Sequence, residues 1–98
     1  MSDENEKVLL IIPAYNEEES IASTINSVRN FMSTEVLNFH LDYIVVNDGS
    51  KDRTPEIVKE MNVDLINLRT NLGLTGGFGA GMKYAHRHDY DYAIQFDA

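Results

Sequence analysis

Three carboxylates and one arginine stand just past short apolar runs. Glu17 follows the run Lys7–Pro13 by a few residues, Asp48 follows Asp42–Asn47, Arg69 follows Val63–Leu68, and Asp97 follows Tyr90–Phe96. Carboxylates accept hydrogen bonds from N–H and O–H donors and suit hard cations such as Mg²⁺ or Mn²⁺. A guanidinium pairs with phosphate. Each residue alone has an ordinary structural explanation: Asp48-Gly49-Ser50 is a common turn, and Asn16 is a good helix N-cap. Their shared position at the ends of apolar runs is what points to chemistry.

The elements that must position them alternate in type. Val8–Ile12 is a continuous apolar run, as expected of a strand buried on both faces. Asn16, with Glu19 three residues on, then reads as an N-cap and capping box, and Glu17, Glu18 and Glu19 read as a first helical turn favoured by the helix dipole. Ile21, Ile25, Val28 and Met32 form one apolar stripe at helical spacing. A connector over 33–40 leads to a second strand, Asp42–Asn47. Thr54-Pro55 reads as N-cap and first position of a short helix near 55–61, with Ile57, Val58 and Met61 inward. A third strand is expected at Val63–Leu68. A glycine-rich loop follows at Asn71–Gly77, then a helix near 78–88 with Met82 and Ala85 on one face, then a fourth strand at Tyr90–Phe96. Alternation of this kind implies right-handed parallel crossovers. The expected fold is therefore α/β: a Rossmann-like β-α-β-α-β-α-β half sheet of about four parallel strands and three helices. Ligands bind such a sheet at the carboxyl ends of its strands, which brings the four segments together.

Composition narrows the chemistry. With 98 residues there is room for one domain with a thin core. A net charge of −8 argues against nucleic acid, whose phosphates demand a basic face. It also means that a phosphate site must rely on backbone N–H groups, a metal ion or one of the few basic residues. There is no cysteine, which excludes disulfides and thiolate metal sites. No apolar run approaches the ~18 residues of a membrane span. The three histidines lack metal spacing, and Tyr84, Tyr90 and Tyr92 read as packing residues. Residues 1–6 are expected to be disordered, and a cytoplasmic setting is expected.

The segments Val8–Glu18, Ile44–Thr54, Asn71-Leu72-Gly73 with Gly81, and Ile94–Ala98 together resemble the inverting family 2 glycosyltransferases of the GT-A fold, in the family's order and over nearly the whole chain. The resemblance implies a single, partial nucleotide-sugar-binding domain over 1–98. It implies a base pocket lined by Pro13, Ala14 and Tyr15 with Glu17 nearby, and Asp48 accepting from the uracil N3–H. It implies Arg69 near the diphosphate, and Asp97 at the ribose or the Mg or Mn ion as the start of an Asp-x-Asp motif. The expected partners are a nucleotide-sugar donor, a UDP-hexose, and a sugar or lipid-phosphate acceptor. Because Asp97-Ala98 stops short of a second aspartate, the chain is expected to be the donor-binding part of a longer enzyme, itself without catalytic residues and inactive. That parent would work at the inner face of the membrane, and the open sheet edge here would favour self-association.

Two departures stand out. Asn47 occupies a position where many relatives carry aspartate, leaving Asp48 as the key residue. The segment Leu74–Gly79 lacks the basic or polar residue that relatives often place there, so its glycines are read either as diphosphate contacts or, in preference, as allowing close packing of helix on sheet. Among rival readings, a dinucleotide fold needs Gly-x-Gly-x-x-Gly after the first strand, and a phosphate-loop NTPase needs its Gly-Lys-Ser/Thr; neither occurs. A non-catalytic nucleotide-binding or interaction module of the same fold is the remaining alternative.

Overall fold

Strand β1 (Lys7–Ala14) lies at the centre of the molecule, flanked by β2 (His40–Asp48) and β4 (Tyr92–Gln95), with β3 (Leu65–Leu68) beyond β2. A computed structural model describes residues 6–69 and 73–96, with the side chains of 73–75 not described. All the pairings are parallel. Lys7 pairs with His40 and the register runs to Ala14 opposite Asn47; Val8 to Ile11 face Tyr92 to Gln95; Val45 to Asp48 face Leu65 to Leu68. The order β3-β2-β1-β4 reverses direction beside β1, the switch point where open parallel sheets bind ligands.

Helices α1 (Ile21–Thr34) and α2 (Thr54–Glu60) cover one face and α3 (Gly73–Arg87) the other. The apolar run of β1 explains this double cover. Ile12 and Ala14 join Ile21, Ile25 and Val28 of α1 and Val58 of α2; Leu9 and Ile11 point the opposite way and join Ala85 of α3. Alternate residues of β2 do the same, with Val45 on the first face and Ile44 and Val46 on the second. Successive strand residues point to opposite faces, so a strand between two helical layers needs apolar residues at every position. Met32 completes the α1 stripe from a half-buried position.

Several expectations from the sequence change. Asn16 is not a helix cap: its φ is 50°, in the left-handed region that asparagine tolerates, and α1 begins only at Ile21 after Ser20. Glu17, Glu18 and Glu19 therefore lie before the helix, the last two in a turn, and its first turn carries no acid. Helix α2 starts one residue early, with Thr54 already helical, so Thr54 uses its hydroxyl elsewhere. The glycine-rich stretch is helix from Gly73 onward, not a loop to Gly77. The reason is packing. A Cβ on Gly81 would lie 2.6–2.8 Å from three carbons of Ile11, so α3 approaches β1 closer than any side chain permits. Met82 points outward, 44% exposed, while Ala85 is buried. Tyr92 is also exposed, unlike Tyr84 and Tyr90, which pack on the α3 side. The expected disorder of residues 1–6 lies outside the described residues except for Glu6, whose carbonyl accepts the His40 N–H at 2.8 Å.

Candidate active site

The carboxyl ends of β1 and β2 lead into two loops that are tied together by side chains. Three successive backbone N–H groups of the first loop meet three oxygen-bearing side chains of the second. Asn16 N–H donates to Ser50 Oγ at 2.9 Å, Glu17 N–H to Thr54 Oγ1 at 2.8 Å, and Glu18 N–H to Asp52 Oδ2 at 3.1 Å. In return, Lys51 N–H donates to Asn16 Oδ1 at 2.8 Å. The Thr54 hydroxyl donates to Asp52 Oδ1 at 2.5 Å, and Thr54 N–H donates to the same oxygen at 2.9 Å. Burial pushes the Asp52 carboxyl up, but the hydrogen bonds it accepts from Thr54 and from the Glu18 N–H outweigh this and hold it below its ordinary 3.8. Gly49, at φ 75°, supplies the sharp turn that lets the second loop fold back over the first.

This clamp presents the residues singled out in the sequence. Tyr15 is 43% exposed on top of the loop, Glu17 is exposed beside it, Pro13 is half-buried and Ala14 buried beneath. Asp48 lies at the end of β2, 6% exposed, one strand across from Ala14 and paired in register with Leu68 of β3. Arg69 is the next residue after Leu68 and is exposed. The structure thus brings Pro13, Ala14, Tyr15, Glu17, Asp48 and Arg69 to one sheet edge. Phe96 reaches the same edge, its N–H donating to Ile11 O at 2.7 Å, whereas Asp97 lies outside the described residues. Among the described residues no group of three His, Cys, Asp or Glu could hold a metal ion.

Asn47 proves to be a structural hub. It is buried, its Nδ2 donates to Asn67 Oδ1 of β3 at 2.6 Å, and its Oδ1 accepts the Ser50 N–H at 3.2 Å. A neutral amide can donate and accept at once, which a carboxylate cannot. Asn67 has no role in the reading of the sequence; Ser50 enters it only as part of a turn, Asp52 only as part of the segment Ile44–Thr54, and Thr54 only as a helix N-cap. The signal for Ser50, Asp52 and Thr54 was their i, i+2, i+4 spacing of oxygen-bearing side chains after a glycine turn.

The loop geometry also decides what the start of α1 can bind. Dinucleotide folds place pyrophosphate on free N–H groups at this position. Here the N–H groups of Asn16, Glu17 and Glu18 are taken by side chains, and those of Ser20 and Ile21 donate to Glu17 O. Glu17, Glu18, Glu19 and Asp52 line the hollow in front of them. The carboxylates make the field there unfavourable to an anion.

Comparison with known proteins agrees with this departure from the dinucleotide fold. The profile of glycosyl transferase family 2 matches residues 9–98. The chain belongs to glycosyl transferase family 2. Among its relatives in that family, a UDP-N-acetylglucosamine–dolichyl-phosphate N-acetylglucosaminyltransferase of Methanococcus voltae is 33% identical over 93% of this chain and 40% of its own length. An undecaprenyl-phosphate mannosyltransferase of Micrococcus luteus is 31% identical over 94% of this chain and 37% of its own. A dolichyl-phosphate beta-glucosyltransferase of Trichomonas vaginalis is 35% identical over 74% of this chain and 25% of its own. The chain therefore spans between a quarter and two fifths of these family 2 relatives.

Proposed function

We propose that this chain is the donor-binding part of a transferase that moves a sugar from a nucleoside diphosphate, a UDP-hexose, to a polyprenyl phosphate with inversion. The observation that carries the reading is the clamped edge in a family 2 chain. It holds exposed Tyr15 beside buried Asp48, commits the N–H groups of Asn16, Glu17 and Glu18 to side chains, and sets acidic residues before α1. A base then rests on Tyr15, with Asp48 accepting from a ring N–H and Pro13, Ala14 and Glu17 completing the pocket. The diphosphate extends away from the acidic hollow, toward Arg69 or toward β4 and Asp97. A Mg²⁺ or Mn²⁺ ion held with the help of Asp97 would offset the charge that develops on the departing diphosphate.

The acceptor class is supported by the names of the relatives, which differ in the sugar but share a lipid phosphate. Chemistry favours it too. A phosphate oxygen is already anionic near neutral pH, so it can attack the sugar C1 without a base to remove a proton, whereas a hydroxyl acceptor needs one. The C1–oxygen bond to the nucleoside diphosphate breaks as the new bond forms, and the electron pair leaves with the diphosphate. Such a reaction takes place at a membrane surface, here the cytoplasmic one. Among the described residues no helix is long and apolar enough to cross the membrane.

The reading is tested by titrating the chain with UDP, with and without Mg²⁺, and following backbone amide shifts. Saturable shifts at Tyr15, Glu17 and Asp48, larger than those given by NAD, are expected. A well-dispersed spectrum that UDP leaves unmoved would count for a non-catalytic module instead.

A further inference from the structure

We infer that Thr54, acting through Asp52, is a positioning residue for the nucleotide base, an assignment that rests on the donor-site reading above. Thr54 is fully buried at the start of α2, yet its hydroxyl does not cap its own helix. It sits in the middle of a relay. The Glu17 N–H donates to Thr54 Oγ1, and the Thr54 hydroxyl proton is spent on Asp52 Oδ1, whose other oxygen takes the Glu18 N–H. The direction of every bond in this chain is fixed, because Asp52 only accepts and a backbone N–H only donates. The relay therefore has a single arrangement, and it grips the peptide groups that follow Asn16 and Glu17.

Those peptide groups need gripping. Asn16 is held at φ 50°, a left-handed conformation that asparagine tolerates but that is less populated than extended backbone. The bend it makes directs the chain away from β1 and leaves Tyr15 on the outer surface over the strand ends. Released from Thr54 and Asp52, the loop can relax toward ordinary extended backbone, and Tyr15 moves off Asp48. Thr54 touches no ligand in this arrangement; it sets where the base-contacting residue stands.

The test compares UDP affinity across four forms of the 98-residue chain. Thr54→Val keeps the shape of the side chain but can neither accept from Glu17 nor donate to Asp52, and about tenfold weaker binding is expected from the loss of these bonds. Thr54→Ser restores the hydroxyl and is expected to recover the affinity of the unaltered chain. Val58→Ala removes core volume from the same helix without touching the relay, so it is expected to lower the melting temperature while leaving affinity unchanged. Amide exchange at Glu17 and Glu18 should quicken in Thr54→Val alone. If the unaltered chain binds UDP and Thr54→Val binds it equally well, the assignment is overturned while the donor-site reading stands. Loss of affinity in Val58→Ala equal to that in Thr54→Val would also overturn it, because the effect would then be one of stability. No binding by the unaltered chain would overturn both.

Discussion

The two edges of the sheet carry polar clusters of similar size but opposite construction. At the amino edge, side chains bind one another and the backbone beside them, so that each has a partner. Tyr90 OH donates to Asp42 Oδ2 at 2.5 Å, His40 pairs with Asp42 at 3.0 Å, and Lys7 lies over the Tyr90 ring while donating to His88 O at 3.0 Å. Asp91 takes the Lys7 N–H at 2.8 Å and returns its own N–H to Lys7 O. The cluster seams the start of β4 to β1 and β2. At the carboxyl edge, by contrast, side chains are spent on backbone N–H groups, and the chain they fix presents Tyr15 and Glu17 outward. The lesson is that a gathering of charges does not mark a site. What marks one is a polar framework that holds a loop while leaving other side chains turned outward.

The contrast can be broken most directly at Asp48. Asp48→Ala is expected to weaken UDP binding by about 100-fold, close to 3 kcal/mol, with a spectrum that remains dispersed; calorimetric titration giving an unchanged affinity would remove Asp48 from the pocket. Between the edges, Gly81→Ala should cost about 2 kcal/mol. The alanine gains roughly 1 kcal/mol in helix propensity, but its Cβ meets Ile11 Cγ1 and Cγ2 as well as Cδ1. A rotamer change cannot clear all three, and overpacking prevails. Thermal melting would show a fall of several degrees, and a rise would mean that α3 can lift without penalty. At the amino edge, Tyr90→Phe removes one hydrogen bond to a charged partner, expected to cost about 1.5 kcal/mol with UDP affinity unaltered. A change in affinity would dissolve the distinction between the edges.

The finest division is by pH. The Asp52 carboxyl titrates below its ordinary 3.8, so its contribution to stability is present above that value and is lost as pH falls through the folded-state value. Burial first, and then the hydrogen bond to Asp42, raise the Tyr90 hydroxyl well above its ordinary 10.0. Its contribution is present below 10.0 and is lost as pH rises through the raised value. Acid is therefore expected to quicken exchange first at the Glu18 amide, and alkali first at Asp91. Asp52→Asn should flatten the acid response and Tyr90→Phe the alkaline one, each small in size. Identical exchange patterns at both extremes would show that the edges do not open independently.

Much of this was readable from residue order. The unbroken apolar run Val8–Ile12 gave a strand covered on both faces, and Ile21, Ile25 and Val28 gave the buried side of α1, because both signals depend only on local periodicity. The strand-end residues Tyr15 and Asp48 were likewise legible as neighbours once parallel strands were inferred. What escaped depended on distant partners. Asn16 can cap a helix or turn left-handed, and only the position of Ser50 and Lys51 decides between them. Glycines at 73–81 suit a loop or a closely packed helix, and the deciding side chain, Ile11, lies in another element. Thr54 looked like a cap because its partner, the Glu17 N–H, is 37 residues away.

Ile11 serves two structures at once. Its side chain is the seat on which Gly81 rests, and its carbonyl receives the N–H of Phe96, the residue just before Asp97. Helix α3 and the end of β4 thus share a contact at Ile11. Adding bulk at position 81 works as a wedge under one arm of a lever, and the other arm is the strand tip. The fit of one hydrogen-sized side chain in the interior thereby calibrates the height of the sheet edge where a sugar donor would lie.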